Sequence, residues 1–242
     1  MKFELSNPSV FKTVIESLSI ITDECGITFS NEEVNIRALS KDHTTFMMVD
    51  LDKHLFDEYD CNNPSMVIVD IQQLSKIMKR CKNTDLLLCN VDDGNIIFTF
   101  KDEDERCFKS RLIDNEYESP RPPIIDYPVN ITLPTNVFND SLGDLRIFSD
   151  IIKIITDEDY IRFKGEGQYG NGEIKYIHGE QVQNVFKSSY SIMKLTDLMK
   201  AKGFSEQIQL SIGNDLPLKL TFKLVTNDGK IEFLVAPRIS DE

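Results

Sequence analysis

No run of eighteen apolar residues, the minimum for a spanning helix, occurs in this 242-residue chain. Its opening, Met1-Lys2-Phe3-Glu4-Leu5-Ser6, lacks the apolar core of a signal peptide, so the chain is expected to stay in the compartment where it is made. Metal-ligand patterns are missing too. The cysteines (Cys25, Cys61, Cys81, Cys89, Cys107) are odd in number without a C-x-x-C pair, and His43, His54 and His178 are scattered. No zinc site can be assembled from that spacing, and reduced, mostly structural thiols are expected. Nucleophile elbow, P-loop and H-E-x-x-H are all absent, so an enzyme reading has nothing positive behind it, and neither metal nor cofactor is expected.

Several patterns tempt and fail. Gly165-Glu166-Gly167-Gln168-Tyr169-Gly170 matches G-x-G-x-x-G, but a dinucleotide site needs those glycines between a strand and a helix. Residues 173–178 read as strand, so the glycines are expected in a hairpin. Asn130-Ile131-Thr132 and Asn139-Asp140-Ser141 match the glycosylation sequon, which an unsecreted chain does not use. The run Asp102-Glu103-Asp104-Glu105 reads as a solvated turn, and His43 as a turn residue.

Basic charge is the scarcer sign, with 27 Lys and Arg against 40 Asp and Glu and a net charge of −13. Its distribution carries the information. Residues 70–82 hold Lys76, Lys79, Arg80 and Lys82 against Asp70, a net of +3; residues 191–202 hold Lys194, Lys200 and Lys202 against Asp197, a net of +2. The other two expected helices, 9–19 and 135–148, sum to 0 and −1. The acidity therefore lies on strands and loops, and two helices stand out as basic.

The chain also echoes itself. Val10-Phe11, Ile27, Val34 and Ile36 return 127 positions later as Val137-Phe138, Ile154, Ile161 and Phe163. Leu74, Ile77, Met78 and Lys79 return after 121 as Leu195, Leu198, Met199 and Lys200. One α+β unit built twice is implied, with strands in the majority. In the first half, Asn7 is the expected N-cap with Pro8 at the first helical position, and Phe11, Val14, Ile15 and Leu18 form the stripe. Strands are expected at 26–30, 34–39, 45–51, 66–69, 86–90, 95–101 and 106–113, with Asp70 capping the basic helix and Asp92-Asp93-Gly94 turning a hairpin. In the second half, Phe138, Leu142 and Leu145 mark the helix at 135–148. Strands follow at 151–155, 160–165, 173–178, 185–189, 207–212, 218–225 and 230–235.

Residues 114–128 break the pattern. Pro120, Pro122, Pro123 and Pro128 cannot continue a ladder or helix. The organisation expected is an N-terminal domain at 1–113, a linker at 114–128 and a C-terminal domain at 129–242. The linker also carries Ile124, Ile125 and Tyr127. Composition leaves two readings level: a linker docked on its own domain, or one wall of a binding groove.

Particular residues then carry a resemblance. Leu234-Val235-Ala236-Pro237-Arg238-Ile239 resembles the terminal L-A-P-K-I segment of sliding clamps of the proliferating cell nuclear antigen type. Asn214-Asp215-Leu216-Pro217-Leu218 is similar to that family's polar-x-x-Pro-Leu start of a strand. Gly170-Asn171-Gly172-Glu173-Ile174-Lys175 resembles its glycine-asparagine hairpin, and Leu39-Ser40-Lys41-Asp42-His43-Thr44 the loop before its central strand. The similarity runs from about residue 3 to 239. It implies the DNA clamp fold: two similar α+β domains, antiparallel sheets outside, two helices per domain lining a hole, and a head-to-tail trimeric ring.

The resemblance further implies a processivity factor without catalysis, encircling duplex DNA with few phosphate contacts and no sequence preference. The hole-lining positions carried over are Lys12, Lys76, Lys79, Lys194 and Lys200; Arg80, Lys82 and Lys202 are added from charge alone. The family's second-domain first helix usually offers arginines, whereas this chain has Asp140 and Gly143 with Arg146 displaced. That departure keeps open a heterotrimer subunit or a checkpoint-type clamp beside the homotrimer. Closure would use edge strands 106–113 and 173–178, with Lys109, Arg111, Glu173, Lys175 and Tyr176 at the subunit interface. The implied partner groove comprises Leu39, His43, Phe46, Ile124, Ile125, Tyr127, Pro128, Pro217, Leu234, Val235, Ala236 and Pro237. DNA polymerase, clamp loader, flap endonuclease and ligase-type proteins would insert a short apolar-aromatic plug there, with no membrane partner. From a different class, a protein-only scaffold or an unrecognised enzyme remains open. The short tail after Ile239 looks archaeal, which implies a cytoplasmic protein; a eukaryotic source would make it nuclear.

Overall fold

The computed structural model describes residues 1–180 and 182–238. Two compact units emerge, Met1–Pro122 with Leu224–Ile231, and Pro123–Lys223 with the residues from Glu232 on. The first holds β1 (Lys2–Leu5), α1 (Ser9–Ile21), β2 (Glu24–Phe29), β3 (Glu33–Leu39), β4 (Thr45–Asp52), a 3-10 turn (Lys53–Leu55), β5 (Glu58–Asp60), β6 (Ser65–Asp70), α2 (Ile71–Met78), β7 (Leu86–Asp92), β8 (Asn95–Lys101) and β9 (Glu105–Arg111). Strands β5-β1-β7-β8-β9 form one antiparallel sheet, and β4-β3-β2-β6 are antiparallel neighbours in that order.

The second unit repeats the plan. It holds β10 (Val129–Pro134), α3 (Thr135–Leu145), β11 (Ile151–Thr156), β12 (Tyr160–Gly167), β13 (Gly170–Ile177), β14 (Phe186–Ser191), α4 (Ile192–Leu198), a 3-10 segment (Met199–Gly203), β15 (Gln207–Ile212) and β16 (Leu218–Lys223), and the part of β17 (Gly229–Val235) from Glu232 on. The orders β10-β15-β16-β17 and β13-β12-β11-β14 match β1-β7-β8-β9 and β4-β3-β2-β6. Register matches as well. Ile27 faces Ile36 and Phe29 faces Val34; 127 positions on, Ile154 faces Phe163 and Thr156 faces Ile161. The offset shortens later chiefly because residues 53–64, which include β5, correspond only to 178–185.

The apolar stripes go where their period sends them. Phe11, Val14, Ile15 and Leu18 are fully buried, with the Phe11 ring 5.3 Å from Phe3 and 6.0 Å from Phe98. In the second unit Phe138, Leu142 and Leu145 are buried, and Phe138 lies 5.5 Å from Phe163. Each such side chain contributes roughly 1.5–3 kcal/mol by leaving water.

Local expectations needed correction in places. Asn7 does not cap α1: Pro8 stands at the N-cap with helical angles, φ −66 and ψ −16, and accepts from Lys12 N–H at 3.0 Å. The Asn7 carboxamide accepts from the Ser9 hydroxyl instead. Three helices end earlier than expected, because each closes in a 3-10 turn; after α2 and α4 that turn keeps the stripe buried at Cys81 and Ala201, whereas after α3 Ile147 and Phe148 are exposed. After α2, Arg80 and Cys81 N–H groups reach Ile77 and Met78 carbonyls at 2.9 and 3.0 Å; after α3, Ile147 and Phe148 do likewise with Asp144 and Leu145. Strand β9 stops at Arg111, where Leu112 and Ile113 turn to the Gly94 and Ile68 carbonyls. The strand expected at 185–189 is shifted to Phe186–Ser191. Strands β1, β5 and β10 form where the sequence pattern predicts none. The glycine hexad does form a hairpin, with Gly167 opposite Gly170. A Cβ on Gly167 would stand 1.8 Å from the Phe148 carbonyl oxygen, so close backbone approach explains the glycine there.

Candidate nucleic-acid and partner interfaces

Asp70 caps α2 by accepting from Gln73 N–H at 2.8 Å, and Ser191 caps α4 through Lys194 N–H at 3.5 Å. Buried Leu74, Ile77 and Met78 then fix which side of α2 faces solvent, and Leu195, Leu198 and Met199 do the same from α4 into the 3-10 segment. The result is that Lys76, Lys79 and Arg80 of the first unit and Lys200 and Lys202 of the second are exposed, with Lys79 and Lys200 at equivalent places. Lys194 is half-buried. Lys12, half-buried on α1, donates to the Cys81 carbonyl at 3.4 Å. Lys82 stands 3.9 Å from both Asp102 and Asp104, so the acidic turn partly neutralises it. On α3, Asp140, Gly143, Asp144 and Arg146 are exposed.

A buried ion pair holds the basic turn after α2. Asp85 is fully buried, and both its oxygens accept from Arg106 at 2.7 Å, while Oδ2 accepts from Lys82 N–H at 2.6 Å. Arg106 also donates to the Arg80 carbonyl at 2.8 Å. Burial alone would raise the Asp85 pKa, but the Lys82 amide and the Arg106 guanidinium outweigh it and hold the carboxyl below its ordinary range. Neither Asp85 nor the role of Arg106 was legible from spacing; an aspartate just ahead of an apolar strand was the only signal.

Strand β9 ends the first unit's five-stranded sheet and β13 ends the four-stranded sheet of the second. Their residues alternate as the pleat dictates. Lys109 and Arg111 on β9 and Glu173 and Lys175 on β13 are exposed, whereas Phe108, Ile174 and Tyr176 are half-buried. Lys164 on the neighbouring strand pairs with Glu173 at 3.3 Å.

The residues carried over to the groove divide between the units. In the first, Leu39 is half-buried, Phe46 is buried, and His43 is exposed in the β3–β4 loop at φ 58. In the second, Ile124 is fully exposed, Ile125 half-buried and Pro128 exposed. Tyr127 donates to the Pro217 carbonyl at 2.9 Å and Tyr190 to the Leu216 carbonyl at 2.8 Å, so two phenols anchor the loop before β16. Leu234 and Val235 are buried and pack the core, which leaves exposed Ala236 and half-buried Pro237 accessible. Arg238 N–H donates to the Ser189 carbonyl at 2.7 Å; Ile239 lies outside the described residues.

Cys25, Cys61, Cys81 and Cys89 are buried and Cys107 is exposed. Burial pushes the Cys25 and Cys81 thiols up to about 11, which keeps them neutral. Among the described residues no three metal-ligating side chains gather, and no helix is long and apolar enough to cross a membrane.

Comparison with known proteins adds a second line. Residues 1–118 match the family described as proliferating cell nuclear antigen, N-terminal domain, and residues 122–238 match its C-terminal domain. A DNA polymerase sliding clamp of Methanobrevibacter smithii is 40% identical over 242 residues, covering 100% of this chain and 99% of that protein. One from Methanothermobacter thermautotrophicus is 41% identical over 241 residues, with the same coverage. The crystal structure of PCNA from Thermococcus kodakaraensis superposes with a TM-score of 0.91 over 98% of this chain and 99% of that one, at 19% identity, which speaks to the fold. With both halves matched in order and relatives similar end to end, the chain belongs to the proliferating cell nuclear antigen family.

Proposed function

We propose that this chain is the subunit of a DNA sliding clamp, a ring that encircles duplex DNA and tethers polymerase and other replication proteins without catalysing a reaction. The observation that carries the reading is the paired placement of Lys79 and Lys200. On a chain of net charge −13, equivalent positions of the two repeats both expose a lysine beside further basic residues. Facing phosphate, they supply weak contacts that hold register with no base and so permit sliding. Lys76, Arg80, Lys194 and Lys202 extend that surface, and Lys12 borders it.

Strand addition between β9 of one copy and β13 of the next would satisfy both exposed edges and generate a closed ring when three copies meet. Lys109, Arg111, Glu173, Lys175 and Tyr176 line those edges. Partner peptides dock on the linker and its surroundings, with Ile124, Ile125, Tyr127, Pro217, Ala236 and Pro237 as the contacts in the second unit. The acidic face of α3 bears on subunit composition, since it offers DNA no cation except Arg146. Light scattering of the chain expressed alone tests the assembly: three chain masses support the homotrimer, and a monomer at micromolar concentration that closes only with a paralogue supports the heterotrimer.

A further inference from the structure

The first part of the linker is not free. After β9, Ile113 N–H donates to the Ile68 carbonyl at 2.9 Å, which lays the chain along β6, the end strand of its set. Four residues on, the Tyr117 side chain crosses β2 at Gly26, the residue that faces Ile68 in the ladder. A Cβ on Gly26 would stand 2.7 and 2.8 Å from Tyr117 Cδ1 and Cε1, and 2.9 Å from Met66 Sδ. The ring thus occupies the space a side chain would need, which accounts for a glycine inside a strand. The Tyr117 hydroxyl reaches the Arg37 carbonyl at 3.3 Å and lies 3.7 Å from Cys25 Sγ.

We propose that Tyr117, seated on Gly26, is a positioning residue that fixes where the linker carries Ile124 and Ile125. Residues 118–127 have no regular structure, but Pro120, Pro122 and Pro123 stiffen them. A proline-rich segment behaves as a semi-rigid spacer of about 3.1 Å per residue, so anchoring its start restricts its far end. With its start pinned on β2, the stiff segment keeps fully exposed Ile124 extended instead of collapsing onto the protein, and a partner peptide need not order it. The inference rests on the linker's being part of the peptide site.

The test compares Tyr117→Ala, Gly26→Ala and Tyr117→Phe in the full chain. Gly26→Ala displaces the ring without touching the linker sequence, and Tyr117→Phe keeps the ring. Protease cleavage after Glu118 reports the anchor, and titration with a polymerase C-terminal peptide reports the site. The first two variants should be cut faster and should bind about tenfold more weakly, as expected if the competent linker falls to about a tenth of molecules. Thermal stability and oligomer mass should be retained, and Tyr117→Phe should behave as the parent. Faster cleavage with unchanged affinity would overturn the positioning role while leaving the peptide site intact, and unchanged cleavage would overturn the anchor. A peptide that fails to bind the parent protein would overturn the site and the positioning role together.

Discussion

Arg106 grips both carboxylate oxygens of Asp85 at 2.7 Å and, with the same side chain, satisfies the Arg80 carbonyl just past the end of α2 at 2.8 Å. The pair links sheet edge β9 to the basic turn after α2. Asp85's pKa is lower in the folded chain than in an unfolded one, so its contribution to stability is complete above about pH 4 and vanishes as pH falls through the folded value. Asp85→Asn should therefore lower the melting temperature at pH 7, and the gap to the parent should close below pH 4. Melting curves between pH 2.5 and 7 check this; a gap that widens in acid contradicts it.

The exposed lysines should act through phosphate. Lys76→Ala, Lys79→Ala and Lys200→Ala should each weaken DNA association across all sequences and flatten its salt dependence by about one unit of log–log slope or less per residue. Folding should survive because the three side chains are exposed. Titrations of duplex DNA at several salt concentrations decide; unchanged slopes would mean that these are ordinary solvated faces.

Ile125→Arg should separate a peptide site from linker packing. A guanidinium there would have to be desolvated by an arriving apolar plug, a cost of several kcal/mol when unpaired, so peptide affinity should fall at least about a hundredfold. Ile125 is only half-buried, so oligomer mass and melting temperature should hold. Lost stability together with lost affinity would instead make the residue part of the core.

Much of this was legible in the sequence, for identifiable reasons. The 127-residue echo reappears as identical strand pairings, Ile27 with Ile36 and Ile154 with Phe163, because apolar partners across a ladder must be kept together in both copies. The cap at Asp70 was readable because a carboxylate stands just before an amphipathic run. What escaped involved partners distant in sequence. Asp85 and Arg106 sit 21 positions apart and Gly26 and Tyr117 91, and only folding brings them together. Gly26 did carry a local sign, a glycine inside a strand pattern, which points to close approach without naming what approaches. The early ends of α2 and α4 escaped because a 3-10 turn preserves the buried stripe that marks a helix, at Cys81 and Ala201.

A clamp holds DNA by enclosing it, so its retention depends on whether the DNA has ends. The most direct measurement loads the protein, with a clamp loader, onto a nicked circular plasmid, isolates the complex, and then linearises the DNA with a restriction enzyme. Enclosure predicts retention on the circle at salt concentrations that abolish simple binding, and rapid release from the ends once the circle is cut. Equal retention on circular and linear DNA, or equal loss from both, would contradict it.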